Sequence, residues 1–204
     1  MDKALELCSD GDRRFLHVEV VVDPSRLPRR IHEYASLLVM SLDASAQATD
    51  DGSDTLPPVK SVALLLSGRA KAWPPIGELR TSWPDPEPWT GHKFQIEPVY
   101  QRTVDEMLSR PGVFWLVFAP ICMDATAASM RHVVEEMRRR EANETERAEL
   151  YAAMLVVAEL NTWGHNLGEE LRAMMRDLDH ETIMQSRTLR EAFETGVKKG
   201  IAKG

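Results

Sequence analysis

The stretch FLHVEVVVD, residues Phe15 to Asp23, decides how this chain is read. It is a run of β-formers with His17 and Glu19 set into it. An ionised carboxylate among apolar side chains is costly unless it is paired or binds a metal. Glu19 therefore either sits on a wet face or has a partner. Alternation along the strand puts His17, Glu19 and Val21 on one face and Leu16, Val18, Val20 and Val22 on the other.

Working outward, KALELC, then the turn cluster SDGD, then RRFLHVEVVV reads as a hairpin whose return strand carries Glu19. DPSRLP breaks the chain, and a helix follows from Leu27 to Leu42, with Ile31, Tyr34, Leu38 and Leu42 at three- and four-residue steps. The small, acidic segment Asp43 to Pro58 reads as a flexible loop. VKSVALLLSG is a buried strand, and AWPPIGELRTSWPDPEPWTG an irregular, proline-rich crossover whose tryptophans pack on the sheet. KFQIEPVYQ is a further strand, TVDEMLSR a short helix, and GVFWLVFAPI a strand apolar on both faces, as in a covered sheet. From Asp124 the pattern is helical almost to the end. The expectation is an α/β core over residues 1–120 and a helical region over 121–204 with a charged tail at 186–204.

Composition bounds the function. The 204 residues are 43% apolar and 28% charged, ordinary for one globular domain with a real core. No apolar run approaches the roughly 20 residues of a membrane helix, and no basic-then-apolar leader opens the chain. Cys8 and Cys122 lack metal spacing and read as buried thiols of a reducing cytoplasm. A net charge of −7 weighs against a surface that grips nucleic acid everywhere, although a local basic patch remains compatible with it. Arg29, Arg30 and Lys60 are the phosphate-contact candidates, but an arginine in the place of Arg30 more often pairs with a carboxylate such as Glu33 or a sheet acid. The methionines spread through the helices, from Met123 to Met184, read as core filler.

The hairpin brings Asp2 alongside Glu19. Carboxylates on two paired strands suit Mg²⁺, which binds through one or two carboxylates and keeps several waters. Such an ion activates water and stabilises charge on a phosphate. The plain alternative is an edge hairpin with Asp2, His17 and Glu19 all solvated.

Asp2, the strand His17-Val-Glu19-Val-Val21, the helix start Leu27-Pro-Arg-Arg30-Ile-His-Glu-Tyr34 and the run Pro58-Val-Lys-Ser-Val-Ala-Leu-Leu-Leu66 together resemble the recombination-promoting nuclease and transposase family. That family belongs to the PD-(D/E)XK nuclease superfamily and is marked by an Asp, a strand reading H-x-E-x-Q and a helix with R-x-x-x-Y. Gln185 to Gly200, QSRTLREAFETGVKKG, is similar to the family's ending. The resemblance implies a restriction-endonuclease-like mixed sheet flanked by helices, acting as a Mg²⁺-dependent DNA endonuclease of mobile elements. It makes Asp2 and Glu19 the metal ligands, and His17, Arg30 and Tyr34 supporting residues. The third active-site position is Val21, where the superfamily has Lys or Gln to orient the attacking water. Valine has neither donor nor acceptor, so the expectation is weak or absent activity. The family also carries a helix ahead of the Asp, and with Asp2 one residue from the start that first helix is expected to be missing. The second class of function is a non-catalytic module whose C-terminal helices bind protein, including a second copy of the chain.

Overall fold

The computed structural model describes residues 2–9, 12–46, 58–81 and 90–178. The chain divides into two compact units, Met1–Pro98 and Val99–Gly204. Residues 99–120, grouped with the sheet in the sequence reading, thus count with the helices.

The first unit is α/β. Strand β1 (Asp2–Ser9) and strand β2 (Asp12–Val21) form the expected antiparallel hairpin. Helix α1 (Leu27–Ala46) then crosses back, so that β3 (Val59–Leu65) runs parallel to β2. Strands β4 (Ile76–Thr81) and β5 (Thr90–Pro98) complete a five-stranded mixed sheet in the order β1-β2-β3-β5-β4. β5 is parallel to β3 and antiparallel to β4.

Two local expectations change here. α1 runs on through Asp43 to Ala46, because Asp43-Ala-Ser-Ala is tolerated in a helix once the turns before it are formed. The rest of the expected loop, residues 47–57, lies outside the described residues. The proline-rich crossover contains β4, since Ile76-Gly-Glu-Leu-Arg-Thr81 has no proline and pairs with β5 along its whole length. Of the crossover's tryptophans, Trp73 carries the Arg69 guanidinium 4.2 Å from its ring centroid, while Trp83 and Trp89 lie outside the described residues.

α1 packs across β2, β3, β4 and β5. Its buried stripe is Leu27, Ile31 and Ala35, which repeats at the helical step. On the sheet side the buried positions alternate as Phe15, His17, Glu19 and Val21 on β2, then Phe94 and Ile96 on β5. Register aligns them in rows, with His17 beside Ser61 and Glu19 beside Ala63. Gly77 stands opposite Phe94, and a Cβ built on it would lie 2.4 Å from Phe94 Cζ, so the aromatic ring occupies the space this glycine leaves.

The second unit, as far as it is described, is helical: α2 (Val104–Ser109), α3 (Ala127–Arg140), α4 (Glu144–Ala158) and α5 (Gly168–Leu178). Side-chain caps start three of them, with capping boxes at Thr103/Glu106 and Thr126/Ser129 and an Asn143 cap on α4. The expected strand GVFWLVFAPI is instead a 3-10 helical segment, Phe114–Ile121. Six consecutive residues of it, Leu116 to Ile121, are buried, so its continuous apolarity reports burial and not extension. Pro120 also removes a donor that a central strand would need. Arg140, at the end of α3, donates to the carbonyls of Leu108 (2.5 Å), Arg110 (3.0 Å) and Gly112 (2.8 Å), and to Glu136 at 2.6 Å. Arg139 and Arg140 together hold the Glu136 carboxyl down to about 2 through their hydrogen bonds.

Met130, Met137, Met154, Met174 and Met175 are buried as expected of core filler. Met123 is exposed, in the turn before α3, and Met184 and the charged tail 186–204 lie outside the described residues. Cys122 is buried and its thiol is pushed up to about 12 by desolvation, with Asp124 and Glu106 adding in the same direction. Among the described residues no helix is long and apolar enough to cross a membrane.

Candidate functional site

The α1-facing side of β2 is apolar at both ends and polar in the middle. Phe15 and Val21 flank His17 and Glu19, and all four are buried. Glu19 is 0% exposed, and one of its oxygens, Oε1, accepts a hydrogen bond from Arg30 Nη2 in the first turns of α1. The Arg30 side chain is 37% exposed, so this ion pair is buried at the carboxylate and half-wet at the guanidinium. Arg30 had two expected partners, and the sheet acid takes it; Glu33 instead receives Arg29 at 2.7 Å on the helix surface.

His17 is 3% exposed. Its Nε2 lies 3.9 Å from Glu19 Oε2, a charge contact longer than a hydrogen bond. Its Nδ1 lies 3.2 Å from the Ser61 hydroxyl on β3, and its ring centroid 6.3 Å from that of Tyr34. Arg30 and Tyr34 are four residues apart on α1 and so share one face of it, above Glu19 and His17 respectively. Ser61 is 1% exposed and also meets His92 Nε2 on β5 at 3.0 Å. His92 in turn lies beside His32 of α1, with centroids 6.2 Å apart and the rings tilted by 52°. Burial pushes the His92 imidazole below its ordinary value, and His32 and His17 act in the same direction.

The sheet and helix thus bring Glu19, His17, Arg30 and Tyr34 together. Backbone register sets Asp2 directly opposite Glu19 across the hairpin. Val21 stands two residues beyond Glu19, fully buried. The solvated hairpin is corrected for His17 and Glu19: α1 lies on their face of the sheet and removes them from water. Lys60 is exposed, as is Arg29.

Ser61, His92 and His32 were not singled out from the sequence. A signal for two of them existed. Ser61 is in phase with the buried Ala63 and Leu65, and His92 with the buried Phe94 and Ile96, so each polar residue fell on a core face.

Two chemistries can be weighed on this geometry. Glu19, His17 and Ser61 stand in the order carboxylate, imidazole, hydroxyl, but a nucleophile must meet its substrate and Ser61 is sealed. Mg²⁺ needs several oxygen ligands and retains water. Glu19 turns one oxygen to a guanidinium in a fully buried setting, and Val21 supplies no ligand. This arrangement does not fit a hydrated Mg²⁺. Among the described residues no group of three or more His, Cys, Asp or Glu could hold a metal ion. No family model matches the chain, and comparison with curated proteins and with solved structures likewise finds no match.

Proposed function

We propose that the chain is a catalytically degenerate member of the transposase-associated PD-(D/E)XK nuclease family, built on a restriction-endonuclease-like sheet. One observation carries the reading: the residues that bear the resemblance, His17 and Glu19 from a strand and Arg30 and Tyr34 from the following helix, converge on one cluster that is buried at His17 and Glu19 and open to solvent at Arg30 and Tyr34. The β2-α1-β3 crossover and the pairing of Asp2 with Glu19 support the same lineage. Intact members of such a family hydrolyse DNA phosphodiesters with Mg²⁺. Here the water-positioning place belongs to Val21, and loss of such a group typically costs a factor of about 10² to 10⁴. Glu19, engaged by Arg30, acts as a structural anion that ties α1 to the sheet. The role left to the scaffold is binding, of DNA or of a second copy through its helices.

The test is plasmid cleavage in Mg²⁺ and in Mn²⁺ by the parent, Glu19→Ala and Val21→Lys, with circular dichroism to verify folding. The parent is expected to leave DNA uncut, and so is Val21→Lys, because Glu19 is buried and engaged by Arg30 in a setting that does not fit a hydrated Mg²⁺. Cleavage by the parent that vanishes in Glu19→Ala overturns the loss of activity. Metal-dependent nicking gained by a folded Val21→Lys overturns the structural role of Glu19, since the carboxylate would then be free to hold the ion.

A further inference from the structure

The three hydrogen-bonding groups His17, Ser61 and His92 sit on three adjacent strands and form one string. Two of its members are histidines, each of which carries its proton on either ring nitrogen. Ser61 has a single hydroxyl hydrogen and two imidazole nitrogens within reach, at 3.2 and 3.0 Å. It can donate to only one of them and must accept from the other. Only two proton orders satisfy both contacts while the imidazoles are neutral, and they run in opposite directions.

Glu19 selects between them. Its carboxylate accepts from Arg30, and an ionised carboxylate has no hydrogen to offer. His17 Nε2 faces that carboxylate at 3.9 Å, where an N–H is attracted and a bare lone pair repelled. We propose that Ser61 and His92 are positioning residues: the string is ordered His92 Nε2–H to Ser61 Oγ, then Ser61 Oγ–H to His17 Nδ1, which presents His17 Nε2–H to Glu19.

The order has a structural consequence. It holds the His17 ring in the tautomer and orientation that place a donor beside the second oxygen of Glu19, while Arg30 serves the first. A carboxylate faced by donors on both sides has less negative charge to offer a cation. The depressed His92 imidazole accords with its acting as a neutral donor at the outer end, where it is only half-buried. The consequence for cations rests on the reading of Glu19 as a former metal ligand, but the proton order does not.

Long-range ¹H–¹⁵N spectra of the labelled full chain, above the imidazole titration range, read the order directly. The expected result is a bare Nδ1 on His17 and a protonated Nε2 on His92. The opposite pattern, a proton on His17 Nδ1 with His92 Nε2 bare, overturns the proposal, as does an imidazolium at His17. Ser61→Ala is expected to release His92 into a mixture of tautomers, and Ser61→Thr to restore a single one; a His92 signal unchanged in Ser61→Ala overturns the role of Ser61. Adding Mn²⁺ separates this inference from the reading it rests on. Broadening of the His17 signals by bound Mn²⁺ defeats the loss of the metal site, while the tautomers still decide the proton order.

Discussion

Arg30→Met is the perturbation that weighs the Glu19 anchor most directly, because it removes the guanidinium and keeps much of its aliphatic bulk. Breaking a buried ion pair from one side typically costs about 3–5 kcal/mol, since a charge is left buried without its partner. Arg30 is 37% exposed, so part of its attraction is already screened by water, and His17 stays 3.9 Å from the other oxygen. Both facts lower the expected cost to about 2–4 kcal/mol. For a chain of this size each kcal/mol moves Tm by about 2–4 °C, giving a drop of about 4–16 °C. The sign of the pH dependence follows. A buried carboxylate with no cation beside it favours its neutral form, so the folded variant binds a proton more readily than its unfolded chain. The deficit is then full near neutral pH and shrinks as pH falls into the carboxylate range. Glu19→Gln supplies the control, because with no charge at that position the same Arg30→Met change should cost under about 1 kcal/mol. Urea unfolding of the parent, the two single variants and the double variant, followed by circular dichroism at neutral and mildly acidic pH, gives the double-mutant cycle. Equal costs of Arg30→Met in the parent and in the Glu19→Gln background would refute the reasoning, since Arg30 would then contribute nothing through Glu19.

Three further outcomes are expected. Gly77→Ala should destabilise by about 1–3 kcal/mol in thermal unfolding, because its Cβ would stand 2.4 Å from Phe94 Cζ and 2.9 Å from Ile96 Cδ1; a neutral result would mean that the ring swings clear at no cost. Arg140→Met should cost about 2–3 kcal/mol through three deserted carbonyls, whereas the neighbouring Arg139→Met, at a side chain 71% exposed, should cost under about 1 kcal/mol. His92 has a folded pKa below its unfolded value, so its contribution to stability is present above the unfolded imidazole range and is lost as pH falls through that range towards the folded value. The stability of His92→Gln should accordingly fall less over that interval than the parent's, and parallel curves from the two would count against it.

The parts of the fold legible in the sequence are those where the pattern was local. Phe15 to Val22 alternates with period two, Leu27 to Leu42 repeats at the helical step, and the turn cluster between Ser9 and Asp12 joins two β-forming runs. The hairpin, α1 and β3 follow from these, and so does the mixed sheet, because a helix between two strands favours parallel pairing. Where period carries no information the reading failed. Phe114 to Ile121 is apolar at every position, and such a run fits a strand or a buried helical turn equally. β4 was hidden for a different reason. The prolines at 74, 75, 84, 86 and 88 dominate its surroundings, while the six residues Ile76 to Thr81 between them are free of proline.

Glu19 shows how far a single residue can be argued. Its place in an apolar strand required a partner or water, and the partner came from α1, eleven positions along the chain, at the start of a helix whose boundaries were already legible. Ser61 and His92 could not be reached the same way, because each looks ordinary within its own strand. Only pairing β3 between β2 and β5 puts the Ser61 hydroxyl between two imidazoles, and that pairing depends on strand order, which no local pattern encodes. The sheet order therefore has a chemical effect: it converts three separately ordinary polar residues into a string whose proton direction is set at one end by Glu19. If β5 stood elsewhere in the sheet, Ser61 would have one imidazole to satisfy, and it could donate to His17 or accept from it, so either proton order would serve.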